Sequence, residues 1–476
     1  MDRPGLVAEV APTHLGLDGN ERRRLTDDVT AYAEAFLHGL ADAPASHDPP
    51  DPALIEHLLA PPPESGGNIG PLLESVMAAS RTGFDTAAGS HLSFIPSGGI
   101  YLSALGRFLA AVMNRWTGAS FPSPGSIALE QSVINWMIRL FGLGPAAAGI
   151  LLSGGSIANL EAMVTARSRL GDRFDDAVVY TSAGSHHSVE KAARLAGIPV
   201  SGLRRVPVDG HLRLDTNALE ELIGNDTAAG LRPMMIVATA GTTDTGAIDP
   251  LSTCADIAAR HDLWFHVDAA YGGFFILTDR IRRRLDGIDR ADSITVDAHK
   301  SLMMPFGLGG LLVADGDLLL QAHEGRGAYM QDVMDHADLP HYFGLGPEMS
   351  RPFRGLDVWL PLHYHGTGAF RAELDRMLDL AQSTADRLRQ LDGIELAVEP
   401  ELSIVTFRSV EGNERTERIF HHLNRSRQIH VSSTMIDDRF IVRIAFLNHR
   451  TTTAIAERAI ELVEESLLVS ANEERP

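Results

Sequence analysis

The stretch ADSITVDAHKSL, residues 291–302, joins a short β-branched run to a polar cluster that contains Lys300. Lys300 is one of only two lysines in the chain. Residues 294–296 have the character of a buried parallel strand, so the polar residues stand where that strand ends. Ligands of open α/β sheets bind beyond the carboxyl ends of the strands. The stretch therefore predicts an α/β fold in which Lys300 faces a crevice, and its amine can lose a proton where arginine cannot.

A second predicted strand ends in the same way. Residues 263–267, LWFHV, are followed directly by Asp268. Both strand ends should meet at one crevice, which then holds an acid and an amine. A lysine that forms an imine with an aldehyde, and a carboxylate that keeps a pyridine nitrogen protonated, are the two contacts that pyridoxal 5'-phosphate (PLP) requires.

The motifs HVDAA (266–270) and DAHK (297–300) resemble, in order and spacing, those of the group II PLP-dependent amino-acid decarboxylases. That family includes aromatic amino-acid, glutamate and cysteine-sulfinate decarboxylases. The resemblance covers residues from about 80 to about 470. It implies PLP fold type I, similar to aspartate aminotransferase, with a mostly parallel central sheet. The implied domains are an N-terminal helical arm (1–75), a large PLP-binding domain (76–355) and a small C-terminal α+β domain (356–476).

Composition narrows the class of protein. The formal net charge of −21 disfavours nucleic acid and anionic membranes as partners. No apolar run reaches the ~18 residues of a membrane helix, and the start MDRP does not resemble a signal peptide. The single Cys254 excludes intrachain disulfides and a multi-cysteine zinc site, and we interpret it as a packing residue of a helix. We expect a cytoplasmic protein without a metal site.

A phosphate site is predicted in GILLSGGSIANL, residues 149–160. The order is strand, glycine turn and helix, with Ser156 as the expected N-cap. Free N–H groups after Gly154 would hold a phosphate, aided by the helix dipole. A tight connection would give the same pattern. The position of the turn before Asp268 and Lys300, as in the family, favours phosphate.

The resemblance assigns further roles around the cofactor ring. Aligning Ser188-Val189-Glu190 (SVE) places His186 where the family has a stacking imidazole, and His187 is the rival. Thr243 takes the position near the phenolic oxygen, and Ala270 packs flat on the ring. The implied cofactor-binding residues are Lys300, Asp268, Ala270, His186, Gly154, Gly155, Ser156, Thr243, His299 and Asp297.

Two loops carry the expected substrate contacts. Phe94, Ile95 and Ser97 lie in a stretch that resembles the family's substrate-side loop. The polar stretch 325–347 has the length of a lid, and its GAYMQ segment (327–331) matches the family's mobile catalytic loop. The resemblance implies that Tyr329 protonates the substrate carbon across the interface of a homodimer with shared active sites; an exposed loop tyrosine is the plainer alternative.

We predict PLP-dependent decarboxylation of an L-amino acid to the amine and CO2, with Lys300, His186, Tyr329 and Asp268 as catalytic residues. The residues Leu92, Ser301 and Leu308 are unusual for the family. They leave open decarboxylation-coupled oxidative deamination or β-elimination with C–S cleavage on the same fold, in a natural-product pathway. An inactive binding homologue is disfavoured because the site residues are all present. The substrate side chain, acidic or aromatic, is not determined.

Overall fold

The computed structural model describes residues 15–171, 174–323, 325 and 339–469. Within them a seven-stranded sheet has the order β1-β7-β6-β5-β4-β2-β3. Only β7 runs antiparallel to its neighbours, so the sheet is mostly parallel as predicted. The strands are β1 (Ala148–Leu152), β2 (Ala177–Ser182), β3 (Leu203–Val206), β4 (Arg232–Thr239), β5 (Trp264–Asp268), β6 (Ser293–Asp297) and β7 (Gly309–Val313).

Every residue of β2, β5, β6 and β7 is buried, which explains why their sequences are continuous apolar or β-branched runs. The predicted strands at 263–267 and 294–296 are confirmed. Helices pack against this sheet, and Cys254 is buried in one of them, as expected. These helices are α5 (Pro124–Leu140), α6 (Gly155–Ser168), α7 (His187–Leu195), α8 (Thr216–Ala228), α9 (Leu251–His261), α10 (Asp279–Arg282) and α11 (Gly316–His323).

A second, antiparallel sheet of four strands has the order β10-β11-β9-β8. It has its own hydrophobic core with the helices that flank it. The first of these helices is broken at Gly366, whose φ of 72° is not helical. Strand β10 was not predicted. The elements are α12 (Gly355–Leu388), β8 (Ile394–Val398), β9 (Ile404–Ser409), α13 (Asn413–Arg425), β10 (Ser432–Ile436), β11 (Arg439–Ala445) and α14 (Thr453–Leu468).

Before the large sheet come α1 (Gly19–Gly39), α2 (Pro52–Leu58), α3 (Ile69–Ser80) and α4 (Tyr101–Met113). Asp18 caps α1 in a capping box with Glu21. The sequence predicted α1 and α2 but not α3. None of the residues in α1, α2 or α3 is buried, and α4 exposes large apolar side chains. In the described part of the chain, no helix combines the length and apolar character needed to cross a membrane.

Candidate active site

A cavity of about 330 Å³ lies at the carboxyl ends of β5 and β6, where the sequence predicted the crevice. All of the predicted cofactor-binding residues line it. Its lining consists of Ser153, Gly154, Gly155, Ser156, Ile157, Asn159, His186, Ser188, Thr239, Gly241, Thr243, Asp268, Ala270, Tyr271, Asp297, His299 and Lys300.

The glycine turn forms one wall of this cavity. Helix α6 begins at Gly155 and its N-cap is Gly154, so the prediction of Ser156 as N-cap is wrong. Packing is the physical reason: a Cβ at Gly155 would lie 2.9 Å from Asp297 Oδ2, so the first position must be a glycine. Ser156 instead lies in the first turn. Ile157 and Ala158 donate their N–H groups to the Gly154 carbonyl, while the N–H groups of Gly155 and Ser156, which precede the first intrahelical bond, can donate to an anion.

Lys300 lies opposite this turn. Its Nζ is 3.2 Å from Oδ2 of Asp297, which is almost completely buried. The other oxygen, Oδ1, has no hydrogen-bond partner among the described residues. Next to them, His299 donates from Nδ1 to the Leu308 carbonyl at 2.8 Å, because a carbonyl can only accept. Nε2 of His299 is left 3.8 Å from Asp297 Oδ2.

Asp268 ends β5 and is buried. Asn159 Nδ2 donates to its Oδ2 at 2.8 Å, and the Ala270 N–H donates to its Oδ1 at 3.2 Å. Hydrogen bonds donated to a carboxylate favour its ionised form. Both oxygens of the Asp268 carboxylate thus have hydrogen-bond donors within the protein.

His186 is the N-cap of α7. Its Nδ1 accepts from the Ser188 N–H at 3.3 Å and lies 2.8 Å from Ser188 Oγ. Burial lowers the pKa of His186, and this effect outweighs the negative charge of Asp268, which raises the pKa. A neutral ring that accepts at Nδ1 carries its proton on Nε2. Its rival His187 is exposed and does not line the cavity.

The expected substrate residues Phe94, Ile95 and Ser97 do not line this cavity. Ser97 Oγ donates to the Met304 carbonyl at 2.7 Å, so the loop supports the turn that follows Lys300. Phe94 is 55% exposed and has a left-handed φ of 57°. The predicted acid Tyr329 falls outside the described residues.

Arg443, on β11, is a site residue that sequence reasoning missed. It is buried, and each of its hydrogen bonds goes to an uncharged oxygen. Nε donates to the Asp244 carbonyl at 2.7 Å, while Nη2 donates to the carbonyls of Thr243 and, at 3.3 Å, Phe94. Arg443 therefore ties the substrate-side loop to the loop of Thr243. No local sequence signal could reveal contacts that span hundreds of residues.

The cavity fits PLP by shape and by donor set. Its volume suits a small cofactor, and its glycine turn presents unpaired N–H groups for a phosphate. Lys300 would supply an amine for the aldehyde, and the buried carboxylate of Asp268 would supply a partner for a protonated ring nitrogen. These groups come from separate parts of the chain, so their meeting in one cavity is a property of the fold.

Comparison with known proteins agrees with this geometry. A family model described as "Pyridoxal-dependent decarboxylase conserved domain" matches residues 81–410. An aromatic-L-amino-acid decarboxylase of Bacillus atrophaeus is 31% identical over 451 residues, covering 92% of this chain and 94% of that protein. An L-2,4-diaminobutyrate decarboxylase of Rhizobium meliloti is 32% identical over 352 residues, covering 72% of this chain and 71% of that protein.

Among solved structures, Oryza sativa TDC with PLP and tryptamine has a TM-score of 0.90 and 25% identity, covering 95% of this chain and 99% of that one. This likeness confirms the predicted fold type I. Together with the sequence relatives it confirms PLP as the cofactor and a carbon–carbon lyase as the class of enzyme. The chain belongs to the pyridoxal-dependent decarboxylase family and catalyses the PLP-dependent decarboxylation of an amino acid.

Proposed function

We propose that the substrate is an L-amino acid with an aromatic side chain, and that Lys300, Asp268, His186 and Tyr329 carry out its decarboxylation. The meeting of the first three residues in one cavity is the observation that carries the assignment. Several relatives are named for aromatic amino acids, including a tyrosine decarboxylase of Oryza sativa that is 29% identical. An acidic side chain would call for a free cation, and the described lining of the cavity includes no arginine.

Bound PLP supplies an electron sink for the electron pair that remains at Cα when CO2 leaves. Asp268 has the task of keeping the ring nitrogen protonated. Its two N–H donors and its burial support this role, because an ion pair is strong where water is excluded.

His186 has two tasks in this proposal: its ring packs against the cofactor ring, and its Nε2–H points to the substrate carboxylate. The hydrogen bonds at Nδ1 support this, because they fix both the ring's rotation and its tautomer. A neutral imidazole also leaves the departing carboxylate without a salt bridge that would hold it back.

Lys300 would hold the cofactor through its side-chain amine, and Oδ2 of Asp297, 3.2 Å from Nζ, orients that amine. Gly155 and Ser156 hold the phosphate with their N–H groups, and Thr243, His299 and Ala270 complete the binding site. Phe94, Ile95 and Ser97 lie outside the lining of the cavity, and we propose that their loop contacts the substrate side chain beyond it.

Tyr329 returns the proton to Cα, and it does so in the active site of the partner in a homodimer. Support for a dimer comes from surfaces that a lone chain leaves uncovered. Helix α4 exposes Leu105, Phe108, Leu109 and Val112, and the arm helices bury no residue. Apolar patches of this kind mark interfaces. The single buried cysteine needs no oxidising compartment, which supports a cytoplasmic location.

A product assay tests the proposal. Purified holoenzyme is given L-tryptophan, L-tyrosine, L-phenylalanine, L-glutamate and L-2,4-diaminobutyrate, and CO2, amine, ammonia and peroxide are measured together. We expect equal amounts of CO2 and amine from an aromatic substrate, none from Lys300→Ala, and much less from Tyr329→Phe. Ammonia with an aldehyde would instead establish oxidative deamination, and a thiol released from a sulfur-linked amino acid added to the panel would establish β-elimination. Turnover of only acidic or cationic substrates would overturn the aromatic assignment.

A further inference from the structure

A chain of buried polar side chains runs beneath the cavity floor. Trp264 Nε1 donates to Ser293 Oγ at 2.7 Å, and Ser293 Oγ lies 2.8 Å from His266 Nδ1. His266 Nε2 lies 3.1 Å from Asn159 Oδ1. From Asn159 Nδ2 one bond goes to Asp268 Oδ2 at 2.8 Å and another to Ser188 Oγ at 3.0 Å. We call Trp264, Ser293, His266, Asn159 and Ser188 the Asn159 network.

The hydrogen positions in this network follow from one another. Asp268 can only accept, so the amide nitrogen of Asn159 must face it and Oδ1 must face His266. His266 therefore carries a proton on Nε2. Burial lowers the pKa of His266 to about 4, so its Nδ1 is unprotonated and accepts from the Ser293 hydroxyl. The Ser293 oxygen is then free to accept from Trp264.

The second branch ends at the other catalytic side chain. Because Ser188 Oγ accepts from Asn159, its own hydrogen is available for His186 Nδ1. The two hydrogens of one amide group thus serve Asp268 and, through Ser188, His186. All hydrogen-bonding groups of Asn159 are used, and the residue is almost completely buried.

We propose that Asn159 is a positioning residue that, with one amide, holds the carboxylate of Asp268 in place and sets, through Ser188, the Nε2–H tautomer of His186, and that His266 and Ser293 fix the orientation of that amide. The inference rests on the proposed roles of Asp268 and His186. It explains why a polar residue lies at this buried helical position. An apolar side chain there would avoid the free-energy cost of removing a polar group from water. The inference also assigns a positioning role to Trp264 and Ser293, which do not line the cavity.

Asn159→Leu and Asn159→Asp test the proposal in the holoenzyme. Leucine removes both donors at similar volume, and aspartate also places a second carboxylate against Asp268, which raises the proton affinity of the pair. We expect kcat to fall about 10- to 100-fold with little change in KM, the range for losing a hydrogen bond to a charged group. The acid limb of the kcat-versus-pH profile should move to higher pH, and so should the pH dependence of the cofactor absorption band. Both shifts should be larger for Asn159→Asp than for Asn159→Leu.

Ser293→Ala provides a second test away from the reacting atoms. It removes the donor to His266 Nδ1, and we expect a 2- to 10-fold loss in kcat, as for a neutral hydrogen bond. In apoprotein labelled with ¹⁵N-histidine, the His266 nitrogen shifts should report a single Nε2–H tautomer that becomes mixed in the variant. This readout does not depend on bound cofactor.

Asn424→Asp is the matched control. Asn424 is a hydrogen-bonded asparagine of α13, paired with Val431 at 2.8 and 3.2 Å, and it does not line the cavity. Its loss should lower stability but leave the pH profile unchanged. A wild-type kcat and pH profile in folded Asn159→Leu and in Ser293→Ala would overturn the inference. Activity that survives in Lys300→Ala would instead refute the proposed function, so the two failures are distinguishable.

Discussion

Gly309 shows how tightly a single residue constrains the glycine turn at which we propose that phosphate binds. A Cβ at this position would lie 2.6 Å from Gly154 Cα and still closer to Asp297 Oδ1. Backbone cannot give way at that distance, so Gly309→Ala should push the glycine turn away from Asp297. We expect PLP affinity to fall about 10-fold or more and stability to fall by about 1–3 kcal/mol, as for other overpacked sites.

The measurement is fluorescence titration of the apoprotein with PLP. Gly144→Ala is the control, because a Cβ at the exposed Gly144 meets nothing within 4 Å. Unchanged PLP affinity in Gly309→Ala would show that the turn can shift without cost, and would weaken its assignment as the phosphate site.

The individual site residues that could be predicted are those marked by a pattern in the neighbouring sequence. Lys300 and Asp268 each follow a β-branched or aromatic strand, and the end of a strand marks the crevice. Ser156 was misread because a serine before a helix is normally a cap, while the packing against Asp297 that selects Gly155 is invisible along the chain. Asn159 gave no signal, since its three partners come from two other elements, α7 and β5.

Helices α6 and α11 are joined by a buried pair between Glu161 and His323. His323 Nε2 donates to Glu161 Oε2, and Nδ1 donates to the Leu319 carbonyl at 2.9 Å, so both ring nitrogens act as donors. Burial alone would lower the pKa of His323, but these hydrogen bonds and the Glu161 charge raise it above its ordinary value. The folded state therefore holds an imidazolium.

The stability that this pair contributes is fully present below the unfolded pKa of about 6.5 and is lost as pH rises through the higher folded pKa. Urea unfolding of the apoprotein from pH 6 to 9 should show that decline. In Glu161→Gln the pH dependence should weaken, with about 1.5–3 kcal/mol lost at pH 6, the worth of a hydrogen bond to a charged group. An identical decline in both proteins would rule out His323 as its source.

Strand β11 reaches the active site through Arg443, and this contact predicts a catalytic effect of the small sheet. Arg443→Met should loosen Phe94 and the loop of Thr243 together, which lowers kcat/KM on the order of 10- to 100-fold, as expected for misplaced substrate contacts. Steady-state kinetics of the holoenzyme measure the effect.

Arg415 offers a matched control. It is also buried in the small-sheet region, and it donates to the carbonyls of Ser466 at 2.8 Å and Leu467 at 3.0 Å at the end of α14. Arg415→Met should lower the melting temperature in a similar way and leave kcat/KM of the folded enzyme unchanged. Equal kinetic losses in both variants would mean that Arg443 acts only through stability.

Elements were predicted best where they are buried on both sides. The strands of the large sheet are continuous apolar runs, and each of those singled out from the sequence is present. Helix α3 is rich in apolar residues but buries none of them in this chain, and strand β10 is only partly buried. Strand β10 owes its place to pairing with β11, a tertiary contact that no local pattern encodes.

For the whole molecule, the proposed shared-site dimer makes a prediction that a single chain cannot satisfy. Lys300→Ala lacks the lysine of its own cavity, and Tyr329→Phe lacks the proposed acid. If Tyr329 serves the partner's cavity, a mixed dimer of the two variants contains one complete site, formed by Lys300 of one subunit and Tyr329 of the other. If Tyr329 serves its own cavity, no dimer has a complete site.

Co-refolding equal amounts of the two variants and measuring CO2 release decides between these arrangements. Random pairing makes half of the dimers mixed, each with one of two sites intact, so we expect roughly a quarter of the wild-type activity. Phe108→Glu on the exposed face of α4 should abolish the recovered activity by opposing association, because it places a charge in the apolar patch. If the Phe108→Glu protein is a monomer by sedimentation and the mixture still recovers activity, the exposed face of α4 has another role.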